Sequence, residues 1–164
     1  MQYLIAIVFI IVFSVFDNSL GFCIGSPFYT HFTYMFQHAS VMHLVLTSFS
    51  FIAMFRVLTI FANKYKLFLA LVIIGFISSY FSECQLPTVG ASSMVYGMIG
   101  MMYGFIWNKI LEFMERSILI LNLVGLLIAL LISCFTKNSN FSIHLISALI
   151  GLLVGVCFAK HIKK

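Results

Sequence analysis

The sequence predicts an all-α, polytopic membrane protein with six transmembrane helices that form a single domain over residues 1–164. First, 63% of the residues are hydrophobic and 8% are charged, a composition far outside that of soluble proteins. Second, the chain divides into apolar runs that approach or reach the length needed to cross a bilayer core of about 30 Å. Third, a six-span arrangement places nearly all basic residues on one face of the membrane. No polar linker separates two apolar blocks, which favours one domain.

Taken in order, the apolar runs give six predicted spans, at 1–16, 41–62, 66–82, 92–107, 116–135 and 141–159. Span 1 ends at Asp17 and lacks a basic n-region, so a cleaved signal peptide is the weaker interpretation. Residues 17–40 are rich in small, aromatic and turn residues and are predicted as a loop. The other connections are a short loop at 83–91, a charged segment at 108–115 and a polar turn at 136–140. Spans 1 and 4 are short, about 24 Å each.

The basic residues set the predicted orientation. Eight of the nine Lys and Arg residues fall on one face if there are six spans: Arg56, Lys64, Lys66, Lys109, Arg116, Lys160, Lys163 and Lys164. Only Lys137 falls on the other face. Because basic loops stay in the cytoplasm, both termini are predicted to be cytoplasmic. We expect a multi-pass protein of a bacterial inner (plasma) membrane, whose basic tail contacts lipid headgroups rather than nucleic acid.

Four polar side chains fall near the outer ends of spans 2, 4 and 6, namely His38, His43, Ser92 and His144. Ionisable groups at this depth indicate function. Span 4 carries Tyr96, Gly100 and Gly104 on the same face as Ser92, and span 6 carries His144, Ser147, Gly151 and Gly155 at spacings of three and four. Small-residue faces let membrane helices approach closely. Docking of these two faces would bring Ser92 beside His144.

A serine next to a histidine predicts nucleophilic catalysis, because the imidazole removes the hydroxyl proton and returns it to the leaving amine. The Ser92 backbone N–H, His43 and Thr47 are candidate donors to an oxyanion. None of the four acidic residues is near His144 in sequence, so a dyad is predicted, with Glu83 left open as a third member. Ser93 points about 100° away from the Ser92 face and is the less favoured nucleophile.

The cysteines show no metal or redox spacing, and a disulfide between Cys23 and Cys84 is conceivable if their loops share a side.

Three motifs resemble the rhomboid family of intramembrane serine proteases, in family order and on spans 2, 4 and 6. They are TYMFQHASVMHL at 33–44, VGASSMVYG at 89–97 and HLISALIG at 144–151. The resemblance implies a six-span rhomboid-like bundle with serine endopeptidase activity and without metal or cofactor. Its implied substrates are transmembrane segments that enter between spans 2 and 5 and are cut near their outer ends.

The same resemblance implies roles for single residues. Ser92 matches the nucleophile, His144 the general base and His43 the histidine of the oxyanion hole. His38 matches a histidine beside the cavity, and Tyr96 matches a tyrosine that stacks on the catalytic imidazole. The glycine of the serine motif, Gly90, is counted among the supporting residues.

The chain departs from the family pattern at three positions: Ser93 and Ser147 stand where the family usually has glycine, and Thr47 where it usually has asparagine. The first loop also lacks the Trp-Arg pair that many family members have there. Because a threonine hydroxyl is shorter than an amide, weak activity or narrow substrate choice is expected. Two alternatives stay open. One is an inactive relative that binds membrane clients, and the other is a metal-binding or transport protein that uses His38, His43 and His144.

Overall fold

The computed structural model describes residues 1–17, 19–83, 87–109, 124 and 139–162. Its α-helices are α1 (Gln2–Val15), α2 (Thr30–Thr33), α3 (Val41–Leu58), α4 (Lys64–Ser79), α5 (Ser92–Lys109) and α6 (Phe141–Ile162), with a 3₁₀ turn at Tyr34–Phe36. The described part is all-helical, apart from one isolated β-bridge, so the all-α prediction is confirmed. Predicted span 5 lies outside the described residues except for residue 124.

Polar side chains next to the helices explain where several helices begin. The Ser40 Oγ accepts the His43 backbone N–H at 3.2 Å, and the Asn63 Oδ1 accepts that of Tyr65 at 2.9 Å. Such N-caps each stabilise a helix by about 1 kcal/mol. The Asn63 cap starts α4 two residues before the predicted start of span 3. Helix α3 ends at Leu58, four residues before the predicted end of span 2, because residues 59–63 form the turn between α3 and α4.

The predicted loop at 17–40 contains more structure than expected. The Pro27 carbonyl accepts both the backbone N–H and the hydroxyl of Thr30, at 2.9 and 2.7 Å, and α2 starts there. The Gln37 side chain donates to the Phe16 carbonyl at 2.8 Å and accepts the Leu20 N–H at 3.2 Å. These bonds hold the loop against the end of α1 and so fix the entry to α3.

Helix α5 lies in the centre and packs against α3, α4 and α6. Gly90, just before α5, contacts His43 in the first turn of α3, and Phe105 near the far end of α5 stacks on Phe61 just after α3. Helices α3 and α5 therefore run in the same direction. Helix α4 runs the opposite way, since Gly75 and Ser78 near its end contact Ser93 and Ser147 near the starts of α5 and α6. The N-termini of α3, α5 and α6 thus share one end of the bundle, as the sequence predicts for spans 2, 4 and 6.

Glycines make the contact between α5 and α6 a backbone-to-backbone one. A β-carbon on Gly104 would lie 2.5 Å from the Leu152 carbonyl oxygen, and one on Gly100 would clash with the Ala148 carbonyl. In return, β-carbons on Gly151 and Gly155 would clash with the backbone of α5. The predicted docking of the two small-residue faces is confirmed. Ser147, placed on the same face by its spacing, instead donates to the Ser78 hydroxyl of α4 at 2.8 Å.

Two of the described helices, Val41–Leu58 and Phe141–Ala159, are long and apolar enough to cross a membrane. Helix α1 is apolar but has 14 residues. Large apolar side chains are exposed on the outer faces of these helices, among them Leu4, Ile11, Leu46, Phe49 and Leu153. A lipid environment removes the cost of such exposure. The count of six spans stays a prediction.

Candidate active site

The structure brings Ser92 and His144 into direct contact. Ser92 opens α5, and its Oγ lies 2.9 Å from the Nε2 of His144 in the first turn of α6. Tyr96, one turn further along α5, stacks on the His144 ring with the centroids 4.3 Å apart and the planes 19° from parallel. His144 is buried, whereas Ser92 is partly exposed. A hydroxyl within hydrogen-bond distance of a held imidazole is the arrangement of an activated nucleophile.

The other ring nitrogen of His144, Nδ1, faces the Ser139 hydroxyl at 3.4 Å. With the ring proton on Nδ1, Ser139 accepts that proton's hydrogen bond and Nε2 is left to accept the Ser92 hydroxyl proton. The carboxylate of Glu83, left open as a third member, accepts the Ser142 hydroxyl at 2.6 Å. The geometry therefore favours a Ser92–His144 dyad with Ser139 at the far side of the ring.

Ser93 lies in a different environment from its neighbour. It is fully buried, and its Oγ accepts the Tyr34 hydroxyl at 3.0 Å. The same Tyr34 hydroxyl lies 2.8 Å from the Gly75 carbonyl of α4. Burial raises the pKa of Tyr34, opposed by the bond to Ser93, so the phenol stays a neutral donor. The Ser93 hydroxyl is therefore a packing group between α4 and α5, which disfavours it as the nucleophile.

The segment that leads into Ser92 is held by the first loop. Phe22 and Thr88 form an antiparallel bridge with N···O distances of 2.9 and 2.8 Å. The Gly90 N–H donates to the Tyr34 carbonyl at 2.8 Å. Gly90 has a φ of 119°, a backbone conformation that side chains with a β-carbon rarely adopt. These bonds fix the backbone on which the Ser92 N–H is presented.

His43 packs on this segment, and His38 packs on His43. The His43 ring lies so close to Gly90 that a β-carbon there would be 2.7 Å from Nε2. The rings of His38 and His43 are 5.2 Å apart, edge to face, and Phe9 lies on the other side of His38 at 5.1 Å. Thr47, one turn beyond His43 on α3, is buried. The predicted site residues therefore gather at one end of the bundle, and their roles stay predictions.

His38 is a buried imidazole outside the spanning helices. It is 1% exposed, and neither ring nitrogen has a hydrogen-bond partner among the described residues. Burial, followed by the neighbouring His43, lowers the pKa of His38 to about 4. His38 is therefore neutral at pH 7.

The metal-binding alternative requires His38, His43 and His144 to converge on one point. The Nε2 of His144 is instead directed at Ser92, and in the described ranges no three His, Cys, Asp or Glu side chains form a group that could hold a metal ion. The geometry thus favours the dyad over a three-histidine site. Cys84 lies outside the described residues, so the conceivable Cys23–Cys84 pair does too.

Sequence reasoning missed the part played by Asn140, which it placed only in a polar turn. Its Oδ1 caps α6 by accepting the Ile143 N–H at 3.4 Å, and its Nδ2 donates to Ser82 and Thr88 at 2.7 and 3.2 Å. An asparagine directly before an apolar run is a recognisable N-cap signal. Its bonds to distant hydroxyls leave no trace in the local sequence.

Comparison with known proteins shows the family to which the chain belongs. The chain matches no individual curated protein sequence. The family model described as Rhomboid domain matches residues 25–162. This range contains Ser92, His144, His43 and the three motifs at 33–44, 89–97 and 144–151. The match covers most of the chain and, together with the apolar helices, identifies an integral membrane protein. The chain belongs to the rhomboid family.

Proposed function

We propose that the protein is an intramembrane serine endopeptidase that uses Ser92 as nucleophile and His144 as general base. The observation that carries the proposal is the 2.9 Å contact between Ser92 Oγ and His144 Nε2. Family membership supports it, because rhomboid proteins are generally intramembrane serine proteases. No cofactor is required for this chemistry.

The proposed reaction has two steps. His144 Nε2 takes the Ser92 proton as Oγ attacks the scissile carbonyl carbon, and the resulting imidazolium then protonates the departing amine as the C–N bond breaks. A water molecule next loses a proton to His144 and attacks the acyl-enzyme ester. The ester C–O bond breaks, Ser92 recovers its proton and a carboxyl product leaves. Stacking by Tyr96 holds the imidazole plane through both steps.

Oxyanion stabilisation is assigned to one donor at the start of α5 and two donors on α3. The Ser92 N–H lies at a helix N-terminus, where the helix dipole favours negative charge. His43 is the proposed side-chain donor, and its contact with Gly90 supports a location beside the Ser92 segment. Thr47 is the second proposed donor, from the next turn of α3.

We place the reaction near the outer face of a six-span bundle with both termini in the cytoplasm, in a bacterial inner membrane. The proposed substrates are transmembrane segments that approach along α3 and predicted span 5. The outward face of α3 supports this, because it exposes only apolar side chains close to the site: Met42, Val45, Leu46 and Phe49. A lipid-embedded segment can slide along such a surface without removing charge from water.

Labelling with a fluorophosphonate probe in detergent tests the dyad directly. We expect wild type to be labelled, and Ser92→Ala and His144→Ala to lose labelling. Ser14→Ala is the matched control, since Ser14 is an exposed serine of α1 that bonds only its own helix at the Ile10 carbonyl in the described contacts. Equal labelling of all four proteins would exclude the assigned dyad.

One observation favours a second candidate, a relative that binds membrane clients with little or no turnover. Thr47 offers a short hydroxyl where an amide would reach further, and loss of one oxyanion donor costs on the order of 3 kcal/mol of barrier. Thr47→Asn is then expected to raise the rate of labelling, and Thr47→Val to leave it unchanged or lower it. Absence of labelling in wild type and Thr47→Asn, with stable binding of transmembrane peptides, would favour this second candidate.

A further inference from the structure

We infer that Asn140 is a positioning residue that clamps the first turn of α6 to the segment before Ser92 and so holds His144 in register with the nucleophile. The inference rests on the proposed function, because it concerns the geometry of that dyad.

Asn140 directly precedes α6 and bonds the first turn of this helix in two ways. Its side-chain Oδ1 accepts the Ile143 N–H at 3.4 Å, and its backbone carbonyl accepts the N–H of His144 itself at 3.3 Å. The direction in which the His144 side chain leaves the helix therefore depends on where Asn140 sits.

The side-chain amide of Asn140 also bonds the segment between α4 and α5. Its Nδ2 lies 2.7 Å from Ser82 Oγ and 3.2 Å from Thr88 Oγ1, and these two hydroxyls are 3.3 Å apart. Ser82 follows α4, and Thr88 lies four residues before Ser92. Since Thr88 is itself bridged to Phe22, the amide is bonded to a segment that the first loop also holds.

The hydrogen bonds of Asn140 to Ser82 and Thr88 form a clamp at the start of α6. Such a clamp is needed because the glycine contacts between α5 and α6 begin only after His144. Among the close contacts at glycines, the one nearest the start of α6 is that of Ala148 with Gly100, one turn after His144. Ala148 follows His144 by four residues, about 6 Å along the axis, so a tilt of about 10° at the start of α6 would move the imidazole by about 1 Å. A displacement of that size costs up to about a hundredfold in rate. The clamp removes this freedom.

Two sets of variants separate the clamp from the cap. Asn140→Ser retains a good N-cap residue but is too short to reach Ser82 and Thr88. The double variant Ser82→Ala/Thr88→Val leaves Asn140 and the cap unchanged and removes both hydroxyls. Ser142→Ala is the matched control, because it removes a different hydrogen bond between the same two segments, the one to Glu83.

The experiment measures kcat and KM on a transmembrane substrate, the fluorophosphonate labelling rate, and hydrogen exchange of residues 87–92 and 140–146. Both clamp variants are expected to lower kcat and the labelling rate about tenfold to hundredfold with KM unchanged, and to speed exchange in both segments. Ser142→Ala is expected to match wild type. Combining Asn140→Ser with Ser82→Ala/Thr88→Val should cause no further loss, because all three residues act as one unit.

The outcomes distinguish the two proposals. If wild type is labelled and cleaves substrate but both clamp variants keep the wild-type kcat, the positioning role is overturned and the dyad stands. An equal loss in Ser142→Ala, or a loss confined to KM, also overturns it. If wild type shows no Ser92-dependent labelling, the proposed function fails and the positioning role falls with it, whatever the exchange data show.

Discussion

The ring of His43 lies against the α-carbon of Gly90, so that a β-carbon built there would sit 2.6 Å from Cε1 of His43. This contact joins the first turn of α3 to the turn that presents Ser92. Because Gly90, two residues before Ser92, has no side chain, the ring of His43 can occupy this position. The location of the proposed oxyanion donor therefore depends on Gly90.

Gly90→Ala is therefore expected to impair the site in two ways. The methyl group displaces the His43 ring, and the φ of 119° strains any residue that has a β-carbon. We expect kcat to fall by about a hundredfold or more, as for loss of an oxyanion donor. Gly25→Ala is a useful control, because Gly25 also has a positive φ but nothing within 4 Å of its β-carbon position. If Gly90→Ala and Gly25→Ala have the same small effect on kcat, the contact with His43 does not matter.

Gly151→Ala is expected to weaken the fold itself. Its methyl group would meet the Gly97 backbone of α5, which cannot move as a flexible side chain can. Overpacking of this kind costs about 1–3 kcal/mol or more. Thermal unfolding in detergent should show a lower Tm than wild type, whereas Leu153→Ala, on the exposed side of α6, should show little change. A Gly151→Ala protein as stable as Leu153→Ala would contradict the backbone contact.

Tyr96 is expected to support the rate mainly through its ring, which stacks on His144. An offset-stacked pair contributes about 0.5–1.5 kcal/mol, and the Tyr96–His144 planes are 19° from parallel. Tyr96→Phe should therefore label at close to the wild-type rate, and Tyr96→Leu about three- to tenfold more slowly. A loss in Tyr96→Phe as large as that in Tyr96→Leu would point to the hydroxyl instead.

The buried imidazole of His38 is expected to make the protein less stable at acidic pH. Its pKa is about 4 in the folded protein against 6.5 when unfolded, so below pH 6.5 the unfolded chain binds a proton that the folded chain does not. The free energy of unfolding should therefore fall as the pH drops from 6.5 towards 4, with little further contribution from this group below pH 4.

His38→Phe isolates this contribution, because phenylalanine preserves the ring packed between Phe9 and His43 and does not titrate. The drop in Tm from pH 6.5 to pH 4 should be smaller in the variant than in wild type. Parallel curves for the two proteins would show that His38 does not resist protonation.

Local sequence was sufficient for much of the helical framework. The start of α3 at Val41 and of α5 at Ser92, and the apolar character of each described span, follow from composition and from residues a few positions apart. The glycine spacings of spans 4 and 6 also predicted the α5–α6 contact, since only small residues at helical intervals allow two backbones to meet. The candidate site residues could be grouped for the same reason, because the three helices that carry most of them begin at one end of the bundle.

The residue pattern alone predicts an all-helical membrane chain of rhomboid type, with a serine and a histidine at the starts of two glycine-lined helices. The groups that surround this pair become visible only in the folded chain: Tyr34 on Ser93, His43 on Gly90, and Asn140 on Ser82 and Thr88. The difference arises because helix formation and lipid exposure depend on neighbours along the chain. Hydrogen bonds between residues about 50 positions apart depend instead on how the finished helices and loops meet in space.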